Sequence, residues 1–245
     1  MIQKTLVTFI LLCFTLSGLT QESKQGFNMS VKSGVTFSNM YGSDVVSETF
    51  LNGDNPENFY ANHPASDVFK TGLNGGLMID YRFNEHISLG LGASYIQKGA
   101  KINVGEKWNH ELQQYEEVKG NIYWNQDFWM FEMPLNIYIP LKQNELYFKA
   151  GLFAGVLIKS EEEGDISIAN EEYEYVNDRH ANQREPGYFI GGGYVHSLPG
   201  NKGSLFAEIS WSRSIINSIG SGMIPNPQYY FNQTISLNVG YRISL

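Results

Sequence analysis

The chain has 245 residues, a length that suits one β-domain of ordinary size. Its 25 Gly, 15 Tyr and 15 Phe fit many strands with aromatic ends better than a helical bundle. A formal net charge of -8 leaves no clustered Lys and Arg for phosphate binding, so no nucleic-acid partner is expected.

The first 20 residues read as a secretory signal. Lys4 supplies the positive end, Leu6 to Leu16 is an apolar run of h-region length, and Gly18 and Thr20 are small residues that place the cut near Thr20–Gln21. The run is too short for a membrane-spanning helix, which needs roughly 20 apolar residues. Cys13, the only cysteine, lies inside this segment. Bulky Leu12 and the continuing apolar run argue against its acylation. A mature chain over 21–245 would then carry no disulfide and no thiolate.

Strands are expected at about 27–39, 69–83, 87–100, 122–140, 145–159, 187–198, 204–214 and 231–245. Phe69 to Phe83 shows the pattern. Phe69, Thr71, Leu73, Gly75, Leu77, Ile79, Tyr81 and Phe83 form one alternating set, mostly apolar with an aromatic at each end. Lys70, Gly72, Asn74, Gly76, Met78, Asp80 and Arg82 form the other, mostly polar, small or charged. Successive side chains of a strand point to opposite faces, so one face meets something apolar and bounded by aromatic rings, as in a strand that crosses a bilayer. Ile87 to Tyr95, Trp129 to Ile139, Leu146 to Ile158 and Ile235 to Leu245 repeat it. Tyr188 to Leu198 leaves a mixed face in either parity, and Pro134 predicts a bulge or a ladder defect in mid-strand.

The connections alternate. Those at 84–86, 141–144 and 199–203 are short, and those at about 40–68, 101–121, 160–186 and 215–230 are long, polar and together about 90 residues. Such alternation predicts an all-β fold, an eight-stranded antiparallel up-and-down transmembrane β-barrel with short periplasmic turns and long extracellular loops. Lys32, Asp80, Arg82, Glu132, Asn136, Lys149, Glu208 and Arg242 fall on the polar faces. Eight strands leave an interior just wide enough for side chains, so these residues are expected to pair there and plug it. Phe69, Tyr95, Trp129, Trp211, Tyr229, Tyr230 and Phe231 would form one girdle, and Phe27, Tyr81, Phe83 and Tyr241 the other.

Four stretches resemble the PorT-like outer-membrane β-barrel family of Bacteroidota: Ser30 to Met40, Phe131-Glu132-Met133-Pro134-Leu135, Leu146 to Val156 with Lys149-Ala150-Gly151, and Gly240-Tyr241-Arg242. The second is similar to that family's fourth-strand motif, proline included. The resemblance implies an eight-stranded barrel in the outer membrane and no catalytic residue to carry over. Its name-giving member is tied to secretion and gliding. Leu245 departs from the terminal aromatic of many outer-membrane barrels.

No catalytic residue, metal or cofactor is expected. His63, His110 and His180 fall in three different long loops with nothing fixing their separation, and a general base must lie within hydrogen-bond reach of its proton. Glu161-Glu162-Glu163-Gly164-Asp165 and Glu171-Glu172-Tyr173-Glu174 carry oxygen ligands that suit calcium, but their spacing matches no EF-hand loop, and such an acidic run is more often a solvated face. A water-filled pore needs about sixteen strands. Long loops with Trp108, Tyr115, Tyr123 and Trp124 suit recognition of a cell-surface protein or polysaccharide. The expectation is therefore a non-enzymatic, monomeric outer-membrane barrel in contact with lipid, in a structural, binding or secretion-accessory role. A soluble lipocalin-like carrier remains the alternative, with the apolar face turned inward.

Overall fold

A computed structural model describes residues 25–53, 58–63, 65–110, 112–199, 203–218 and 229–245. The expected signal at 1–20, with Cys13, lies outside them. Eleven strands form: β1 (Gly26–Tyr41), β2 (Glu48–Asn52), β3 (Tyr60–Ala61), β4 (Lys70–Arg82), β5 (Ile87–Asn109), β6 (Gln114–Leu141), β7 (Asn144–Ile168), β8 (Glu171–Asp178), β9 (Arg184–Ser197), β10 (Ser204–Ser214) and β11 (Phe231–Ser244).

Eight of them close a ring. The antiparallel order is β1–β4–β5–β6–β7–β9–β10–β11, and β11 returns to β1 from Asn28↔Ser244 to Tyr41↔Phe231. Closure removes the sheet edges and satisfies every ladder within the ring, the condition for strands to exist in hydrocarbon. The chain is an eight-stranded up-and-down transmembrane barrel. Its large apolar side chains point outward along every strand, among them Val31, Leu73, Leu77, Leu91, Phe131, Phe148, Leu152, Ile190, Ile209 and Val239. Aromatic pairs mark the two ends of this band. Phe27–Tyr81 and Tyr81–Phe83 lie on the short-turn side, and Tyr95–Trp129, Tyr188–Trp211 and Tyr41–Phe231 on the long-loop side. The soluble-carrier alternative requires the reverse arrangement and is excluded.

Two local expectations resolve. In β9 the odd positions Glu185, Phe189 and Val195 are buried, while Ile190 and Tyr194 face out. Pro134 produces no bulge. The β5–β6 ladder skips Gly90 and Leu91 between Leu89↔Leu135 and Gly92↔Glu132, then resumes in the same register. A side chain at Gly90 would start 3.1 Å from the Pro134 ring, so a glycine sits opposite the missing donor.

The expected long loops at 101–121 and 160–186 need correction, because most of both is strand. β5, β6 and β7 run for 23, 28 and 25 residues, whereas a tilted strand crosses the bilayer in about 9–11. Their upper halves form two hairpins, β5–β6 and β7–β8, that stand above the aromatic band. β2 adds in parallel to β5, and β3 to β2. One bulge lies within the head hairpin, between Val104 and Glu106, and another where the strands leave the barrel, between Asp127 and Phe128. There β5 turns inward. Its ladder to β4 ends at Asn74↔Ile96, Thr36 donates its hydroxyl to the Gln97 carbonyl at 2.8 Å, and Gly99 takes a φ of 128°. Gly72 lets this crossing happen, since a side chain there would meet the Gln97 carbonyl at 2.7 Å.

Candidate functional site

The ring of strands gathers the predicted polar residues into stacked interior layers. At the short-turn end Arg82 grips Glu145 with two nitrogens, at 3.0 and 3.1 Å, and also donates to the carbonyls of Asn84 and Glu85. Such a two-pronged guanidinium–carboxylate contact is the strong form of the ion pair. Asp80 accepts from Asn28 at 3.1 Å, and the Arg242 guanidinium lies over the rings of Tyr138, Tyr147 and Phe206. One level up, Lys32 meets Glu132 at 2.8 Å and Lys149 meets Glu208 at 2.6 Å. Tyr147 and Asn238 donate to the two oxygens of Glu208, and Ser94 to Glu132. Asn136 donates to Ser88. Lys32, Glu132, Lys149 and Glu208 thus form two ion pairs.

Above this lies an apolar layer of Ile96, Phe128, Met130, Phe153 and Phe189. The cavity left beside it and the Lys32–Glu132 pair is about 30 Å³, room for about two water molecules. A further ion pair follows, Lys98–Glu185 at 2.6 Å, with Asn232 bridging Glu185 and Gln126. Lys98 also faces the rings of Phe128 and Phe153. Sequence reasoning named neither Lys98 nor Glu185, nor Glu145. Glu185 fell in a segment read as loop, and Lys98 and Glu145 stood at the margins of expected strands. The signal that would have found Lys98 is parity, since it shares the inward face with Ser88 and Ser94.

Above Lys98 the interior changes character. Met40, Leu51, Phe59, Ala61, Ile102, Val104, Val118, Ile122, Trp124, Ile166, Tyr175 and Tyr230 pack into one apolar cluster. It joins the first long connection, both hairpins and the last connection into a folded head over the barrel mouth. Glu162 is its buried polar centre. This carboxylate accepts from Tyr175 at 2.7 Å, Arg179 at 2.8 Å and Asn177 at 3.2 Å. Tyr175 and Arg179 in turn clasp Ala61 of β3 through its N–H and its carbonyl. Burial, and then the Glu162 charge, raise the Tyr175 phenol above its ordinary range. Burial, and then Asp44, push Tyr230 up to about 12.

The expected surface rings divide. Trp124 and Tyr230 are fully buried in the head core, contrary to their reading as contact and girdle residues. Tyr115 and Tyr123 are exposed, and Trp108 stacks edge-on against Tyr115 at 4.9 Å. The three loop histidines have separate surroundings: the His63 backbone N–H donates to Thr49, the His110 ring packs on Trp108, and His180 is exposed. The acidic run is split by strand parity, Glu162 inward and Glu161, Glu163 and Asp165 outward. No group of three or more His, Cys, Asp or Glu among the described residues could hold a metal ion.

A family model described as an outer membrane protein beta-barrel domain matches residues 20–245. Among solved structures, the chain is similar to OprG of Pseudomonas aeruginosa, at 10% identity and TM-score 0.41, covering 92% of this chain and 100% of that one. It is also similar to Ail, the attachment invasion locus protein of Yersinia pestis, solved with the heparin analogue sucrose octasulfate, at 15% identity, TM-score 0.38, and 89% and 99% coverage. The Neisserial surface protein A gives 10% identity, TM-score 0.38, and 89% and 97% coverage. No curated protein sequence matches the chain.

Proposed function

The chain belongs to the outer membrane β-barrel family and is an integral outer-membrane protein, and from that premise we propose that it works without catalysis, as a closed barrel that carries a folded recognition head outside the cell. One observation carries this reading. β5, β6 and β7 continue far beyond a bilayer crossing and share an apolar core there, while the barrel beneath them is occupied by paired charges. Lengthening three strands and packing them into a shaped surface serves contact with something outside. A conducting pore would need an open column of water. The head is the part that meets a cell-surface protein or polysaccharide, and the chain acts as a monomer within the PorT-like branch of the family. The stretches quoted above for that resemblance fall on β1, β6, β7 and β11, the wall of the barrel.

Two measurements test the reading. In planar bilayers the purified protein is expected to give no large, stable conductance steps, and such steps would contradict the closed interior. Photo-crosslinkers placed on the head at Tyr115 and Tyr123 are expected to capture one defined envelope or surface component in native membranes. Reproducible absence of any crosslinked component would remove the recognition role.

A further inference from the structure

The ring has no free edge, but the head does. Among the described residues, β7 is the only strand paired with β8, from Glu161↔Asp178 to Ile168↔Glu171. The far side of β8 therefore presents backbone N–H and C=O groups, the usual template for a further strand. Its side chains alternate cleanly. Tyr173, Tyr175 and Asn177 turn toward the head core, while Glu172, Glu174, Val176 and Asp178 are exposed. On the neighbouring β7 the exposed set continues with Glu163 and Asp165.

The charge on this ribbon runs one way. Residues 159–178 hold eight carboxylates and a single lysine. Lys159 is committed to Glu161 at 2.5 Å, and Glu162 is turned inward to Arg179. Asp165 stands directly across from Glu174, and Glu161 from Asp178. Like charges opposite each other destabilise an antiparallel pair. A partner that brings cations to this face relieves that cost on binding, while a second copy of the same acidic edge is repelled.

We propose that β8 is a docking edge for an extended, lysine- or arginine-rich peptide segment, which adds to the sheet as an antiparallel or parallel strand. Main-chain hydrogen bonds to β8 supply the affinity, and the alternate carboxylates Glu172, Glu174 and Asp178 select its charge. Exposed Val176 seats an apolar side chain between two cationic ones. This rests on the reading of the head as the recognition part and names the chemistry of its partner.

The test uses the full mature chain in lipid nanodiscs and a synthetic decapeptide of alternating lysine with valine and threonine. Two controls carry the argument: the same peptide with prolines at alternate positions and unchanged charge, and the protein variant Glu172→Gln/Glu174→Gln/Asp178→Asn, checked for native heat-modifiable migration. Peptide binding is expected to slow amide exchange along β8. The proline peptide, which lacks every second N–H donor and is held near polyproline II rather than strand geometry, is expected to bind at least about tenfold more weakly. The variant is expected to lose about tenfold as well. Equal binding of the proline peptide would reduce the contact to charge alone and overturn strand addition. Outward β8 amides, those not bonded to β7, that are already slow before peptide is added would show the edge to be occupied within the chain, and would equally overturn it, as would no binding. Failure here leaves the head's other faces available for recognition, whereas conductance steps would remove the functional reading without touching the peptide result.

Discussion

The barrel and the head are built from the same strands with opposite insides. In β6, Phe131, Met133 and Ile137 face out and Glu132, Asn136 and Tyr138 face in, where the strand crosses the membrane. Fifteen or so residues earlier in the same strand, Lys119 and Asn121 face out and Val118, Ile122 and Trp124 face in. The backbone geometry is unchanged between them. What changes is the solvent, from lipid to water, and the side chains invert to match. The level of Lys98–Glu185 and Gln126 is the boundary, with rings beneath it and the apolar cluster above.

That inversion makes the two regions separable by mutation. The largest effect is expected inside the barrel. Lys149→Met leaves Glu208 buried without its cation, which costs about 3–5 kcal/mol. Adding Glu208→Leu to the same chain should recover most of this loss in urea unfolding from lipid vesicles. If the double variant stays as weak as the single one, the loss does not come from an unpaired buried charge on Glu208. In the head, Ile122→Ala removes a fully buried side chain and should cost about 2–5 kcal/mol. Amide exchange should quicken in β2, β3, β8 and the upper halves of β5, β6 and β7 while the β1–β11 seam stays protected. Faster exchange in both would mean that the two regions fold as one.

On the lipid face, Leu152→Arg at mid-height of β7 should cost about 2–4 kcal/mol, while Asn121→Arg on the outer face of the head should stay within about 0.5 kcal/mol. Equal penalties would erase the proposed boundary between the two solvents.

The lower half was legible in the sequence and the upper half was not, for one physical reason. Lipid exposes a whole face of each strand, so Leu73, Leu77, Ile79 and their counterparts print an unbroken zigzag. Water-exposed strands of the head print charges on that face instead, and Lys119, Asn121, Glu161, Glu163 and Asp165 made 101–121 and 160–186 read as polar loops. The buried members, Ile102, Val104, Val118, Ile122 and Ile166, are few per strand, and their partners are distant in the chain. Glu162 shows the limit most sharply. In the sequence it is one of three consecutive glutamates, and only the pairing of β7 with β8 turns it inward to Tyr175 and Arg179. The charges of the wall stand out in the sequence because they fall on the faces opposite the apolar zigzag.

The smallest effect concerns pH and touches the head alone. Tyr230 is held in its neutral form by burial, with its pKa pushed up to about 12, and Tyr175 is shifted in the same direction. A raised phenol contributes its full stability below its ordinary value near 10 and loses it as pH climbs to the folded value. Between about pH 10 and 12 the fluorescence of Trp124 should report loosening of the head core while the barrel keeps its heat-modifiable migration. Loss of both together would place the alkaline transition in the wall.

The central claim is that the apolar zigzag faces lipid and the ionic residues face inward, and accessibility of single spin labels tests it most directly. Labels are placed in turn at Leu73, Leu152 and Leu237 and at the adjacent Asn74, Phe153 and Asn238 in reconstituted bilayers. The first three should be relaxed strongly by dissolved oxygen and hardly by a water-soluble nickel complex, and the second three should be shielded from oxygen in the lipid. Labels at Leu73, Leu152 and Leu237 that are screened from oxygen, with their neighbours exposed to it, would contradict the account.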